Sequence, residues 1–366
     1  AMGAEEEVIV QGVNYFTFRL LGFPAHMAFT AMESAVKSTG NTKTPMFIKV
    51  GSHLCNIAGN YIFIFGKLGF RPLGTRGAGL STFIADILAL AGFTVLFIVT
   101  FRKNGIPLGF PFGRGGGGRN IPAPGSFTGP QPGTAPETVN APVPVKTIGP
   151  KNDFFLVLRE GMKVALQGFS SSFSILVYTS IITRIGSIPL AANQVAVSII
   201  SLSFLPAFGL GQASEILMSQ FIGKGQPDRA RKTGYRVLLY CCGLMILFGV
   251  CIGLFPEAIG GLYTRSGEVL ALLGPMLLIS AFFQILDAVQ IVLAASLRAT
   301  GDTAFLLWVT TLASWGIFVP LVWFLSTALG KGILWAWGCR YALMLILAVC
   351  FMIRYRRKRW SEVRPR

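Results

Sequence analysis

Asp287 stands in a long apolar run, flanked by Ile285, Leu286 and Ala288, with Gln284 three residues before it. Residues three apart share a helix face, so the pair would present a carboxylate and an amide on one side. A carboxylate inside a membrane span is costly and by default faces a cavity or a partner. There it could exchange a proton or, when ionised, ligate sodium; the plainer alternative is a structural Asp bonded to a neighbouring helix. Other polar residues interrupt apolar runs: Gln167 with Ser170, Ser171 and Ser172, then Asn193, Gln194 and Gln212. These could offer neutral ligands, or could serve as close-packing and hydrogen-bonding surfaces between helices. Glu215, in GQASEIL, is a second carboxylate in an apolar setting, available as a site acid or as the partner of a lysine.

Catalysis has little material. The chain has two histidines, no GxSxG and no HExxH, and its six cysteines, Cys55, Cys241, Cys242, Cys251, Cys339 and Cys350, all fall in apolar stretches without paired CxxC spacing. They read as small apolar residues rather than zinc ligands or a disulfide framework. No metal or other cofactor is expected beyond a proton or sodium ion at Asp287.

The elements that position these residues follow from composition. Of 366 residues 52% are hydrophobic and only 13% are charged, with a mean hydropathy of +0.62. A bilayer core needs roughly 20 apolar residues per helix. Windows of that length predict helices near 15–37, 45–66, 77–102, 155–185, 190–222, 234–263, 267–299, 303–328 and 332–356. The fold class expected is an all-α polytopic membrane protein.

The formal charge of +17 would suit a nucleic-acid binder, but its placement argues otherwise. Alternate connections hold Lys37 and Lys43, then Arg102 to Lys151, then Lys224, Arg229, Arg231, Lys232 and Arg236, then Arg298, then the tail from Arg354. The opposite connections hold only Lys67, Arg71, Arg76, Arg184, Arg265 and Lys331. Positive residues concentrate on the cytoplasmic side, which predicts the N-terminus outside and the C-terminus inside. No groove of aromatic and basic residues accompanies the charge, so no nucleic-acid partner is expected.

Residues 104–152 differ in kind, with Gly115 to Gly118 and a series of prolines, and read as a Gly/Pro-rich cytoplasmic linker. The chain is therefore expected to consist of a three-helix part (1–103), the linker, a six-helix part (153–360) and a basic tail (361–366). The two parts are related. GFPAHMAFTAMESAVKSTGNTKTPMF at 22–47 lies over FQILDAVQIVLAASLRATGDTAFLLW at 283–308 when Gly40 is set on Gly301. With a six-residue gap, Gly77 then falls on Gly332 and Phe101 on Arg356. The first three helices correspond to the last three, in parallel orientation, and such internal repeats mark secondary transporters. The same register sets His26 on Asp287, making His26 a candidate for a pseudo-symmetric site. Glu33 and Lys37 are spaced for a helix ion pair, and Lys49 and Asp86 are candidates to pair across helices. If each half has six helices, the first lacks three, so the chain is expected to be truncated at its N-terminus.

At these residues the chain resembles the multidrug and toxic compound extrusion (MATE) family. The likeness is carried by GNTKTP at 40–45, IFGKLGFRPLGTRGAGL at 64–80, the stretch from AANQVAV to QPDRAR at 191–231, and LDAVQIVLAASLRATGDT at 286–303. The resemblance implies two pseudo-symmetric lobes around a cavity, of which this chain would hold helices four to twelve. It implies export of organic cations or other amphipathic compounds against a proton or sodium gradient, and residence as a monomer among the lipids of a bacterial inner membrane. Asp287 matches the family's acidic residue implicated in cation coupling. Ser171 stands where bacterial members carry a carboxylate, which leaves neutral ligands there and argues against coordination of several cations; Asn193 replaces a common histidine. Gln284, the 167–172 and 193–215 faces, and aromatic walls such as Phe169, Phe173, Phe204 and Phe283 would line the cavity. Two alternatives remain, a lipid-linked precursor flippase, for which only Arg19 and Arg340 could hold pyrophosphate, and a non-transporting remnant.

Overall fold

A computed structural model describes residues 6–38, 41–103 and 150–357. The linker expectation for 104–149 and the tail 361–366 lie outside the described residues. The chain separates into two units, Ala1–Pro142 and Val143–Arg366.

The first unit holds α1 (Glu6–Ser38), α2 (Lys43–Phe65) and α3 (Thr75–Lys103). Helix α3 is the common partner, packing on both α1 and α2, which barely touch one another. Small residues allow the approach: a Cβ on Gly77 would stand 2.6 Å from the Phe63 carbonyl, and the Ser52 and Ser81 hydroxyls donate to the Ala85 and Asn56 carbonyls at 2.9 and 2.8 Å. This is how helices associate in lipid, where apolar attraction between them is weak. On the other side of α3, Phe93 is fully buried and stacks on Phe29 of α1 at 5.9 Å. Helix α2 ends at Gly66, whose φ of 66° lets the chain turn back, and Leu73 donates its N–H to the Phe63 carbonyl.

The second unit contains α4 (Pro150–Ile185), α5 (Ser187–Gly223), α6 (Pro227–Leu254), α7 (Pro256–Gly261), α8 (Gly267–Ala299), α9 (Thr303–Ala313), α10 (Val319–Trp323) and α11 (Ile333–Arg357). Helix α8 is central and packs on α5, α6, α7 and α11. Its core face carries Leu273, Met276, Leu277, Val292, Leu293 and Leu297, all fully buried. Glycines set the closest approaches: a Cβ on Gly249 of α6 would stand 2.7 Å from the Ala281 carbonyl, and one on Gly211 of α5 3.0 Å from Ile291.

Among the described residues seven helical rods are long and apolar enough to cross a membrane: α3, α4, α5, α6, α8, the rod from Thr303 to Ser326, and α11. Helices α1 and α2, expected as spans, fall short because Arg19, His26, Glu33 and Lys37 interrupt the one and Lys49, His53, Asn56 and Asn60 the other. Phe282, Leu239, Leu205, Trp308 and many other large apolar side chains point outward, an arrangement stable only against lipid or partner helices. The protein is an integral multi-pass membrane protein.

Two helix bounds depart from expectation. The span expected over 234–263 breaks at Phe255, because Pro256 begins a new helix and disfavours helical geometry in the residue before it. Helix α4 starts at Pro150, so 150–152, expected in the linker, are helical. Pro24, Pro206 and Pro275 lie within continuous α-helix, whereas Pro320 sits between π-helical stretches at Ser314–Phe318 and Phe324–Ala328. Proline removes a hydrogen-bond donor, and wider turns are one way a helix absorbs the loss.

Candidate functional site

Asp287 lies on the buried stripe of α8, with 3% of its surface exposed, and Gln284 one turn earlier has 1%. Among the described residues Asp287 has no hydrogen-bond partner, and neither Oε1 nor Nε2 of Gln284 has one. Buried polar groups left so are uncommon, each costing about 1–3 kcal/mol. Gln284 is directed toward α6, where Oε1 would lie 3.5 Å from a Cβ on Gly249. Asp287 answers to α11: among the described residues Arg340 is the basic group whose charge acts on it, and Tyr341 stands beside it. No ion pair within 4.0 Å joins Asp287 to Arg340.

Helix α11 places these groups through a short relay. Trp337, fully buried, donates its indole N–H to Asn193 Oδ1 of α5 at 3.2 Å. The Arg340 guanidinium lies over the Trp337 ring, 5.5 Å from its centre, close enough for a cation–π contact. Tyr341 stacks on Phe283 of α8 at 5.4 Å and has Ser280 as a neighbour. Tyr178 of α4, buried and stacked on Phe318, adds a hydroxyl that has no partner among the described residues and on which the charge of Arg340 again acts.

Of the residues expected at the site, Asp287, Gln284, Phe283 and Asn193 belong to this assembly, Asn193 through Trp337 rather than as a ligand. Gln167 is engaged elsewhere, donating to Thr310 Oγ1 at 3.3 Å, and Ser170 accepts from the Trp315 indole at 3.1 Å. Ser171, beside them on α4, is partly exposed, and Gln194 and Gln212 lie on the exposed side of α5. Glu215 pairs with an arginine rather than a lysine: Arg298 Nε donates to its Oε2 at 3.2 Å. Arg298 lies eleven residues beyond Asp287 on α8, about 16 Å along the axis, so Glu215 does not supply a second acid at Asp287. Phe169 is exposed, Phe173 stacks on Trp315, and Phe204 meets Phe208 edge-on.

In the first unit the expected pairing of Lys49 with Asp86 is not formed. Lys49 joins Lys37 on Glu33, at 3.4 and 2.6 Å, while Asp86 takes Arg19 and His26 of α1 as partners. The i,i+4 pair of Glu33 and Lys37 is present as expected.

Sequence reading under-weighted Arg340, Tyr341, Trp337 and Tyr178. A usable signal was present: the repeat register that sets Gly77 on Gly332 also sets Asp86 on Tyr341, a position already charged in the first repeat.

A family model described as MatE matches residues 1–62 and 164–324. The multidrug resistance protein NorM of Vibrio cholerae is 27% identical over 319 residues, covering 87% of this chain and 62% of the relative. The uncharacterized transporter YisQ of Bacillus subtilis is 24% identical over 338 residues, covering 92% and 65%. The chain thus spans between 62% and 65% of the length of these curated relatives. Among solved structures, one of a MATE protein in complex with MaL6 superposes with a TM-score of 0.79 at 17% identity, over 99% of this chain and 73% of that one. An outward-facing multidrug resistance MATE transporter of the MOP superfamily gives 0.78 at 17%, over 100% and 73%. At that identity the likeness speaks to the fold.

Proposed function

The chain belongs to the MatE family, and from that premise we propose that it works in a secondary antiporter exporting organic cations or other amphipathic compounds. A proton or sodium gradient drives the export. The observation that carries the proposal is Asp287, a carboxylate enclosed by the second unit with no hydrogen-bond donor among the described residues, on a family-matched segment. In a dry setting such a group is stable when it holds a proton or a cation, and exchanging one for another is the elementary act of antiport. Phe283, Tyr341 and Trp337 give the neighbourhood apolar, polarisable walls, which suit broad selectivity because they demand few directional bonds.

The alternative of a flippase for a lipid-linked precursor calls for clustered arginines. Arg19 and Arg340 are each occupied within their own unit, the first on Asp86 and the second over Trp337 facing Asp287. This favours cation handling. Residence in a bacterial inner membrane as a monomer, taken from the family resemblance, and a cytoplasmic C-terminus, taken from the basic connections, complete the proposal. The test is efflux of a fluorescent organic cation from vesicles containing the protein, with and without an imposed proton or sodium gradient. Efflux indifferent to both gradients would remove the antiport reading.

A further inference from the structure

We propose that the first unit carries an ionisable site of its own, built by His26, Asp86 and Arg19, which takes up and releases a proton at His26. Asp86 projects from α3 with only 12% of its side chain exposed. Its Oδ1 lies 3.3 Å from His26 Nδ1 and its Oδ2 3.5 Å from Arg19 Nη1. Both partners come from α1, seven residues apart and therefore on one face. Gly22 lies on that face between them, where an added Cβ would stand 3.4 Å from Asp86 Oδ2. Glycine there leaves the carboxylate room to reach both partners.

The charges define what the site does. Arg19 stays protonated and balances the charge of Asp86, which leaves the imidazole of His26 as the member that exchanges a proton. With its Nδ1–H donating to Asp86, neutral His26 keeps Nε2 as the acceptor. A proton arriving there gives an imidazolium still bonded to the same carboxylate, and its departure restores the neutral ring. The side chains of His26 and Arg19 are 38% and 39% exposed, so Nε2 is reachable while the carboxylate is enclosed. The ring is braced edge-on against Phe29 at 4.7 Å. Of the other charged groups nearby, Lys49 of α2 is held with Lys37 on Glu33, and His53 is exposed on α2.

The internal repeat supplies independent support. One register sets His26 on Asp287, and after the gap the other sets Asp86 on Tyr341. In both units the first and third helices of the repeat pack together, α1 on α3 and α8 on α11. The facing pair His26 and Asp86 thus occupies the places held in the second unit by the neighbours Asp287 and Tyr341. Each repeat brings an ionisable group on its first helix against a polar partner on its third, with an arginine beside them. The site is separate from Asp287 and stands whether or not that residue couples transport.

The chain has two histidines, His26 and His53, so a purified His53→Gln protein with nitrogen-15 histidine has a single imidazole to observe by NMR. The expected spectrum shows the neutral ring protonated on Nδ1, converting to imidazolium on acidification. In Asp86→Asn the Nδ1 tautomer loses its preference and the pH response changes, while Asp86→Glu retains both. A ring that does not respond to pH, or a tautomer and response unchanged in Asp86→Asn, overturns the proposal. The titration of the protein retaining Asp86 needs no folded Asp86 variant. Because the readout is a resonance rather than transport, its failure is distinct from any failure of efflux.

Discussion

The Trp337 indole N–H is bonded to Asn193 Oδ1 at 3.2 Å in the interior of the second unit. That bond ties α11 to α5 and sets the ring on which Arg340 rests, one turn from Tyr341 and across from Asp287. The replacement Trp337→Phe keeps the apolar volume close to native but leaves Asn193 Oδ1 unpaired, a loss of about 1–3 kcal/mol. Thermal unfolding in detergent should register it. The same change should weaken binding of an organic cation more than Asn193→Leu, which loses the bond while keeping the ring under Arg340.

At Gly249 α6 comes close to the backbone of α8. A valine there would drive its side chain into the Ala281 carbonyl and toward Gln284 Oε1. Overpacking of this kind costs about 1–3 kcal/mol. Gly249→Val should lower the unfolding temperature and impair cation binding together, whereas a valine at Gly243, which has open space around it, should spare binding.

The Glu215 and Arg298 pair joins α5 to α8 beside the buried hydroxyl pair of Ser214 and Ser296. Breaking it by Arg298→Gln leaves the half-buried Glu215 carboxylate without its partner near the end of α8, at about 1 kcal/mol. The double variant Glu215→Gln/Arg298→Gln removes both charges and should recover most of that loss. A thermal-unfolding cycle on the four proteins measures the coupling. Efflux should survive in the double variant, since Glu215 lies far from Asp287.

The helices were legible because lipid imposes a simple rule, about 20 apolar residues for each crossing, which seven of the nine expected spans obey among the described residues. The repeat was legible from the likeness of residues 22–47 to 283–308, and the matching packing of α1 on α3 and α8 on α11 follows it. Within a helix, periodicity also sufficed: Gln284 and Asp287 share the buried stripe of α8, and Glu33 meets Lys37. Between helices it did not. Lys49 and Asp86 were matched by opposite charge alone, yet helix rotation gives Lys49 to Glu33 and Asp86 to Arg19 and His26. The partner of Glu215 lies 83 residues along the chain, at a distance where sequence spacing carries no geometric information. The π-helical turns around Pro320 likewise depend on how neighbouring helices hold the rod, which one segment does not record.

The most direct measurement compares gradient-driven efflux of a fluorescent organic cation from vesicles bearing either the native protein or Asp287→Asn. Asparagine preserves the size of the side chain and removes its capacity to hold a proton or cation by charge. The expected result is efflux by the native protein that rises with an imposed proton or sodium gradient and is lost in Asp287→Asn at equal protein content. Equal efflux from the two would contradict the assignment of Asp287 as the coupling residue.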